Sequence, residues 1–112
     1  MTSKQMAHAF SEAGNYFDAD AFVSDLILSS HFLDPDDPAA GPDLTMVDPL
    51  RKVWNAARLP FRALLTELGL TQSELSRRYV IPLRTVQAWA AGDRVPPDYL
   101  RLLLAKAEGY VV

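Results

Sequence analysis

The sequence contains no cysteine, and this absence excludes several classes of protein at once. Without thiols the chain can hold no disulfide scaffold, no thiol nucleophile and no cysteine-ligated zinc or iron–sulfur site. Long apolar runs are also missing, since runs such as residues 26–28 are far shorter than the roughly 18 residues that a membrane span needs. Lys4 is not followed by an apolar segment, so no secretory signal is expected. We therefore expect a cytoplasmic protein with no membrane partner.

Residue patterns for catalysis and for metal binding are equally scarce. His8 and His31 are the only histidines, and neither has a partner at the sequence spacing of a metal pair or of a base beside a nucleophile. The five glycines form no glycine-rich phosphate loop. The aspartates of residues 34–43 alternate with prolines and do not follow the pattern of a calcium loop. We expect no enzymatic activity, no metal and no cofactor.

Charge is distributed unevenly along the chain, although the net charge is only −3. Residues 1–50 contain one lysine against nine carboxylates, a net charge of −8. Residues 51–112 contain ten basic side chains against five acidic ones, a net charge of +5. A basic segment suits a polyanionic partner, which an acidic segment repels. The two halves are therefore predicted to have different roles.

Two amphipathic helices are predicted in the acidic half. Apolar residues at helical spacing predict one helix over residues 3–13 and a second from Asp20, as its N-cap, to about Phe32. Residues 34–43 hold three prolines, four aspartates and a glycine, a composition typical of a surface linker. Residues 1–33 are thus interpreted as an acidic helical N-terminal segment, and residues 34–48 as an Asp/Pro-rich linker. The apolar faces of the two helices need a covering surface, on the C-terminal half, on a second copy or on another protein.

The remaining residues, 49–112, are predicted to form one domain. Asp48 and Pro49 are typical of an N-cap and a first helical position. The apolar stripe that follows keeps its phase through Pro60 to residue 68, so one long helix kinked near Leu59 is expected. The capping-box spacing at residues 71–74 predicts a helix over 72–79, and further helices are expected over 83–91 and 99–108. Only residues 110–112 have the composition of a strand, so the predicted fold class is all-α.

Residues 70–97 resemble the Cro/CI-like helix-turn-helix family of bacterial and phage repressors, also called the XRE family. The matching positions are Leu70, Thr71, Gln72, Leu75, Ser76, Ile81, Val86, Trp89, Gly92, Arg94 and Pro96. The resemblance implies a helical bundle containing a lambda-repressor-like helix-turn-helix, preceded by the two N-terminal helices. Val80 departs from the family, which usually has glycine there. Because a β-branched residue resists a positive φ, we expect this turn to be built differently.

The resemblance also implies which side chains contact DNA. Among those that would face the major groove, Arg84 alone can make a bidentate contact with guanine, so base recognition is limited. The remaining basic residues would neutralise backbone phosphates, which orients a protein on DNA without specifying a sequence. The groove-facing residues are Leu83, Arg84, Thr85 and Ala88, and the phosphate-contacting residues are Gln72, Arg77, Arg78 and Arg94, with Arg62 as a further candidate.

Two functions remain open from the sequence. The resemblance implies a sequence-specific transcription regulator, a repressor that acts as a homodimer on a palindromic operator in double-stranded DNA. The alternative is a protein-interaction module, such as an antitoxin or a phage-encoded inhibitor, whose acidic residues 1–33 bind a basic protein partner or mimic DNA. Limited base recognition and the acidic segment favour the alternative. The basic half and the placement of its arginines favour the regulator.

Overall fold

The computed structural model describes residues 1–112, apart from the side chain of Pro38. Within the residues described, regular structure consists of helices, and residues 110–112 form no strand. The all-α class is therefore confirmed. The α-helices are α1 (Ser3–Glu12), α2 (Ala19–Ile27), α3 (Val47–Arg58), α4 (Phe61–Leu68), α5 (Gln72–Tyr79), α6 (Leu83–Ala91) and α7 (Asp98–Ala107).

The chain divides into two compact units. Unit 1 comprises Met1–Arg58 together with Val111–Val112, and unit 2 comprises Leu59–Tyr110. This division lies ten residues beyond the predicted boundary between residues 48 and 49, and it places α3 in unit 1. The reason is that α3 packs on α1 and α2 and buries its apolar face, formed by Leu50, Val53 and Ala56. Unit 1 has four basic and nine acidic side chains, a net charge of −5. Unit 2 has seven basic and five acidic side chains, a net charge of +2.

In unit 1, α2 differs from its predicted limits at both ends. Its N-cap is Asp18, whose extended backbone lets a carboxylate oxygen accept from the Ala21 N–H at 2.8 Å, while Asp20 lies in the first turn. The helix ends at Ile27 because Ser29 donates its hydroxyl hydrogen to the Leu26 carbonyl at 2.7 Å and starts a series of turns. The predictions of Asp20 as N-cap and of an end near Phe32 were wrong by two and five residues.

The single long helix predicted after residue 48 is in fact two helices. A short 3₁₀ turn, Leu44–Met46, leads directly into α3, so Asp48 is inside the helix and not its N-cap. Pro60 disfavours a helical conformation at Leu59 and has an extended ψ of 142°, so these two residues separate α3 from α4. The continuous apolar stripe was misleading because its two parts are buried in different units.

Unit 2 has a core contributed by all four of its helices. Phe61 and Leu65 of α4, Leu75 of α5, Val86 of α6 and Leu104 of α7 are buried together, and Leu70 joins them from the α4–α5 connection. Trp89 packs edge-on against Phe61 with 5.5 Å between ring centroids. This core fixes the positions of α5 and α6. None of the helices in the described part of the chain is long and apolar enough to cross a membrane.

Candidate nucleic-acid interface

Helices α5 and α6 are joined by only three residues, Val80, Ile81 and Pro82. The predicted capping box at the start of α5 is confirmed: Thr71 Oγ1 accepts from the Glu74 N–H at 3.1 Å, and Glu74 Oε1 accepts from the Thr71 N–H at 3.4 Å. Helix α6 begins directly after Pro82 and ends at Gly92, whose φ of 84° is the left-handed conformation that closes many helices. Both helices therefore have the limits that the sequence predicted.

The turn between the two helices contains a valine in a conformation that usually requires glycine. Val80 has φ 54° and ψ 46°, so the expectation that its β-branched side chain would force a different turn was wrong. Ser76 explains how this is possible: its carbonyl accepts from the Val80 and Ile81 N–H groups, and its hydroxyl donates to the Ile81 carbonyl at 2.6 Å. The Val80 side chain is 89% exposed, so it avoids any clash with the core.

The predicted groove-facing residues lie on α6 and differ in exposure. Arg84 is exposed, Leu83 is 40% exposed, and Thr85 and Ala88 are half-buried beside the core. Gln87, which the sequence analysis missed, is exposed and lies three residues after Arg84. Residues three apart are neighbours on a helix surface, so the guanidinium and the amide belong to one face. The three-residue spacing from Arg84 could have identified Gln87 from the sequence. Gln87 is a second side chain capable of bidentate base contact.

The predicted phosphate-contacting arginines fall into two groups. Arg77 in the last turn of α5 and Arg94 just beyond α6 are exposed, as is Arg62 on α4. Arg78 is exposed as well, but its guanidinium donates to the carboxylate of Glu108 within unit 2. Glu108 follows α7 and lies thirty residues further along the chain, so no local pattern could reveal this pair.

Glu108 also accepts a hydrogen bond from a tyrosine. The Tyr79 hydroxyl donates to Glu108 Oε2 at 2.9 Å. Desolvation of the phenol first, and the neighbouring carboxylate second, raise the pKa of Tyr79 above its ordinary value. Glu108 thus ties the last turn of α5 to the end of α7. Gln72, the remaining predicted contact, is the first residue of α5 and is half-buried.

The two histidines, which have no sequence signal of a shared site, are brought together in unit 1. The rings of His8 and His31 stack with 3.6 Å between their centroids and 14° between their planes. Gln5, one turn before His8, donates its side-chain amide to the His31 carbonyl at 2.8 Å and fixes the loop that holds His31. No cluster of three or more potential metal ligands exists among the residues that the structure describes.

Comparison of the chain with protein-family models, with curated proteins and with solved structures gives no match. The candidate interface is therefore defined by its geometry: two helices joined by a three-residue turn, with Arg84 and Gln87 exposed on the second helix and the exposed Arg77 and Arg94 before and after that helix in the chain.

Proposed function

We propose that the protein is a sequence-specific DNA-binding transcription regulator in which α5 and α6 form a lambda-repressor-like helix-turn-helix. The observation that supports this most directly is the exposed pair Arg84 and Gln87 on the helix that follows the short turn. In such motifs the second helix enters the major groove and contacts base edges with residues near its N-terminus. Arg84, the second residue of α6, suits guanine, and Gln87 suits adenine.

Contacts to the DNA backbone would hold α6 in the groove. Arg77 and Arg94 flank α6 along the chain, and both are exposed. Gln72 lies at the N-terminus of α5, where backbone N–H groups favour a phosphate. With Arg78 bound to Glu108, this set is smaller than the one that the sequence predicted. We therefore expect moderate non-specific affinity and a correspondingly shallow dependence on salt.

The proposed regulator acts as a homodimeric repressor that occupies a palindromic operator in the cytoplasm. A symmetric dimer places two copies of α6 one helical turn of DNA apart. Unit 2 has exposed apolar side chains outside α6 that suit contact with a second copy: Val95 is 85% exposed, Tyr99 69% and Leu103 57%. Tyr99 and Leu103 are four residues apart on α7 and therefore adjacent on its surface.

A second candidate function is a protein-interaction module. It is favoured by unit 1, which has a net charge of −5 and exposes Phe17 to 98% immediately before Asp18. An exposed aromatic side chain within an acidic surface is a feature of interfaces with basic partners. In this alternative the helix-turn-helix is a scaffold, and unit 1 contacts the partner.

Selection of bound fragments from random-sequence DNA at near-physiological salt tests the proposed function. We expect enrichment of an inverted repeat with half-sites about one helical turn apart. Arg84→Ala should then weaken binding by about 1 to 3 kcal/mol and relax specificity at one base position. Lys4→Ala, which removes one positive charge from unit 1, is the matched control and should leave specificity unchanged. No enrichment, or equal effects of the two variants, would contradict the proposal and favour the interaction module.

A further inference from the structure

Unit 2 contains a surface cavity of about 290 Å³ at the C-terminal end of α6. Its lining combines the end of α6, the loop that follows, the start of α4 and one residue of α7, all within Leu59–Tyr110. This volume is close to the lower limit of about 300 Å³ for small-molecule pockets. The cavity therefore suits a small ligand.

Two arginines give the cavity its charge. Arg94 and Arg101 line it, and no acidic side chain lies among the lining residues that the structure describes. The helix ends at the cavity have opposite signs, because α4 begins there at Phe61 while α6 ends at Ala91. Their effects oppose each other, which leaves the two guanidinium groups as the charged groups of the lining, with the Asp98 carboxylate one turn before Arg101 on α7. A ligand that enters this cavity should carry negative charge.

Arg101 is held in place and partly removed from water. Its guanidinium donates to the carbonyl of Leu59, and the side chain is half-buried. Desolvation lowers the pKa of Arg101, an effect opposed by the carboxylate of Asp98, one turn earlier on α7. A fixed and desolvated guanidinium interacts more strongly with an anion than a fully hydrated one, since less water is displaced and less side-chain freedom is lost.

An aromatic surface lies beside the two arginines. Trp89 and Phe61 both line the cavity and pack edge-on at 5.5 Å with 71° between their rings, a geometry favourable for aromatic pairs. Pro60 and Pro96 add two more rigid apolar groups. An apolar surface next to fixed positive charge is the combination that binds a planar group bearing an acidic function.

We propose that this cavity binds a small organic anion, a flat ring carrying a carboxylate or phosphate group that Arg94 and Arg101 bind while the ring packs on Trp89. Binding by this site does not depend on the proposed function. One consequence does rest on it: Arg94 is also a proposed phosphate contact, so an occupied cavity would withdraw Arg94 from DNA and weaken operator binding.

Titration of the full chain with benzoate and with phenyl phosphate, followed by ¹H–¹⁵N NMR, tests the site. We expect saturable shifts confined to the Trp89 indole and the backbone amides of Phe61, residues 89–95 and Arg101. Benzyl alcohol, which has the ring without the charge, should bind about tenfold more weakly, because it lacks the charge-assisted hydrogen bond to the arginines. Shifts that do not saturate, or that benzyl alcohol reproduces, would overturn the proposal.

Two matched variants identify the groups responsible. Arg94→Gln should weaken benzoate binding about tenfold, whereas Arg62→Gln, which removes an exposed arginine outside the cavity, should not. Arg101→Lys keeps the charge but not the planar fork and should weaken binding less than Arg94→Gln does. If Arg101→Lys does not fold, the comparison of Arg94→Gln with Arg62→Gln still decides the matter, because equal effects exclude the site.

A parallel selection of bound fragments from random-sequence DNA separates this inference from the proposed function. If benzoate binds and no DNA sequence is selected, the cavity stands as a ligand site and the regulator is excluded. If an operator is selected and benzoate does not bind, the regulator stands and the cavity inference fails. If benzoate binds and an operator is also selected, benzoate should weaken the operator complex of the parent protein but not that of Arg94→Gln.

Discussion

Val80 occupies a left-handed backbone conformation although its side chain disfavours it. For a residue other than glycine this conformation costs roughly 1 to 2 kcal/mol, and branching at Cβ adds to the cost. The hydrogen bonds of Ser76 to the Val80 and Ile81 amides and to the Ile81 carbonyl hold the turn closed and offset that cost. The side chain is exposed and gains almost nothing from packing. Local strain therefore lies between the two helices that form the proposed DNA interface.

Val80→Gly should stabilise the protein. Glycine removes the steric cost of the left-handed conformation, and few side-chain contacts are lost. Because glycine is more flexible in the unfolded chain, part of this stabilisation is cancelled, and the free energy of unfolding should rise by about 1 kcal/mol. Urea denaturation measures this. Val95→Gly is the matched control, because Val95 is similarly exposed and is not among the residues with positive φ. It should destabilise by about 0.5 to 1 kcal/mol. Destabilisation by both variants would show that Val80 is not strained.

Ionisation of Tyr79 should lower the stability of the protein at alkaline pH. Its pKa in the folded chain is raised, by desolvation first and then by Glu108. The folded state therefore holds the phenolic proton more tightly than the unfolded state does. The stability contributed by the protonated Tyr79 is complete below the ordinary tyrosine pKa of about 10 and is lost as the pH rises through the higher pKa of the folded chain. Tyr79→Phe should flatten this alkaline loss, measured by denaturation at a series of pH values. Tyr99→Phe, at a 69% exposed position, should leave the loss unchanged.

At the scale of helices, Glu108 links α5 to α7 at the expense of a potential phosphate contact. Its carboxylate accepts from Arg78 and from Tyr79 in the last turn of α5, and only 10% of the Glu108 side chain is exposed. The same ion pair that fixes the end of α5 occupies the Arg78 guanidinium, which would otherwise be available to a phosphate under the proposed function. The position of α5 and the basicity of the proposed DNA interface are thus coupled through one side chain.

Glu108→Gln should release Arg78 and strengthen binding to DNA. We expect the salt dependence of DNA binding to steepen by about one unit, since one more phosphate is neutralised. Fluorescence anisotropy at several salt concentrations measures this. Glu67→Gln is the control, because it removes the same charge from a carboxylate that accepts only a 3.3 Å hydrogen bond from Tyr110 among the described bonds. If both variants steepen the dependence equally, net charge and not Arg78 is responsible.

Helix limits were predictable where local chemistry sets them. The capping box of Thr71 and Glu74, Gly92 after α6 and the prolines before α7 placed α5, α6 and α7 within one residue of their observed limits. The break between α3 and α4 was not predicted, because the apolar stripe repeats at the same spacing on both sides of Pro60. Periodicity reports which face is buried and not which neighbour covers it.

The candidate site was predictable to the same degree. The exposed face of α6 follows from the resemblance, and spacing alone could have added Gln87. The engagement of Arg78 by Glu108 and the stacking of His8 on His31 join residues 30 and 23 positions apart, and they depend on how helices pack. The left-handed Val80 was missed because Ser76, four residues earlier, supplies the hydrogen bonds that hold it.

At the scale of the molecule, the division after Arg58 predicts how the chain can be cut. The fragment 59–110 keeps a core shared by α4, α5, α6 and α7, so it should be helical and unfold cooperatively, though with low stability at this size. The fragment 49–112, which follows the predicted domain boundary, also contains α3 without α1 and α2. Its Leu50 and Val53, fully buried in the whole chain, would be exposed.

Circular dichroism and sedimentation velocity compare the two fragments. Fragment 59–110 should be monomeric at low concentration, whereas 49–112 should self-associate through the exposed face of α3. A Leu50→Lys variant of the longer fragment should return it to the behaviour of the shorter one. If 59–110 is unfolded while 49–112 is a folded monomer, the domain boundary lies before α3 and not after Arg58.

The buried side chain of Val111 belongs to unit 1, whereas the fifty-two residues just before it form unit 2. During translation, therefore, α1, α2 and α3 leave the ribosome before unit 2 but lack this part of their unit until the fifty-two residues of unit 2 have been made. Unit 2 has its complete sequence earlier. Unit 1 is thus begun before unit 2 but completed after it. Nascent unit 1 has to persist without the Val111 side chain in its core while the candidate DNA-binding unit is made.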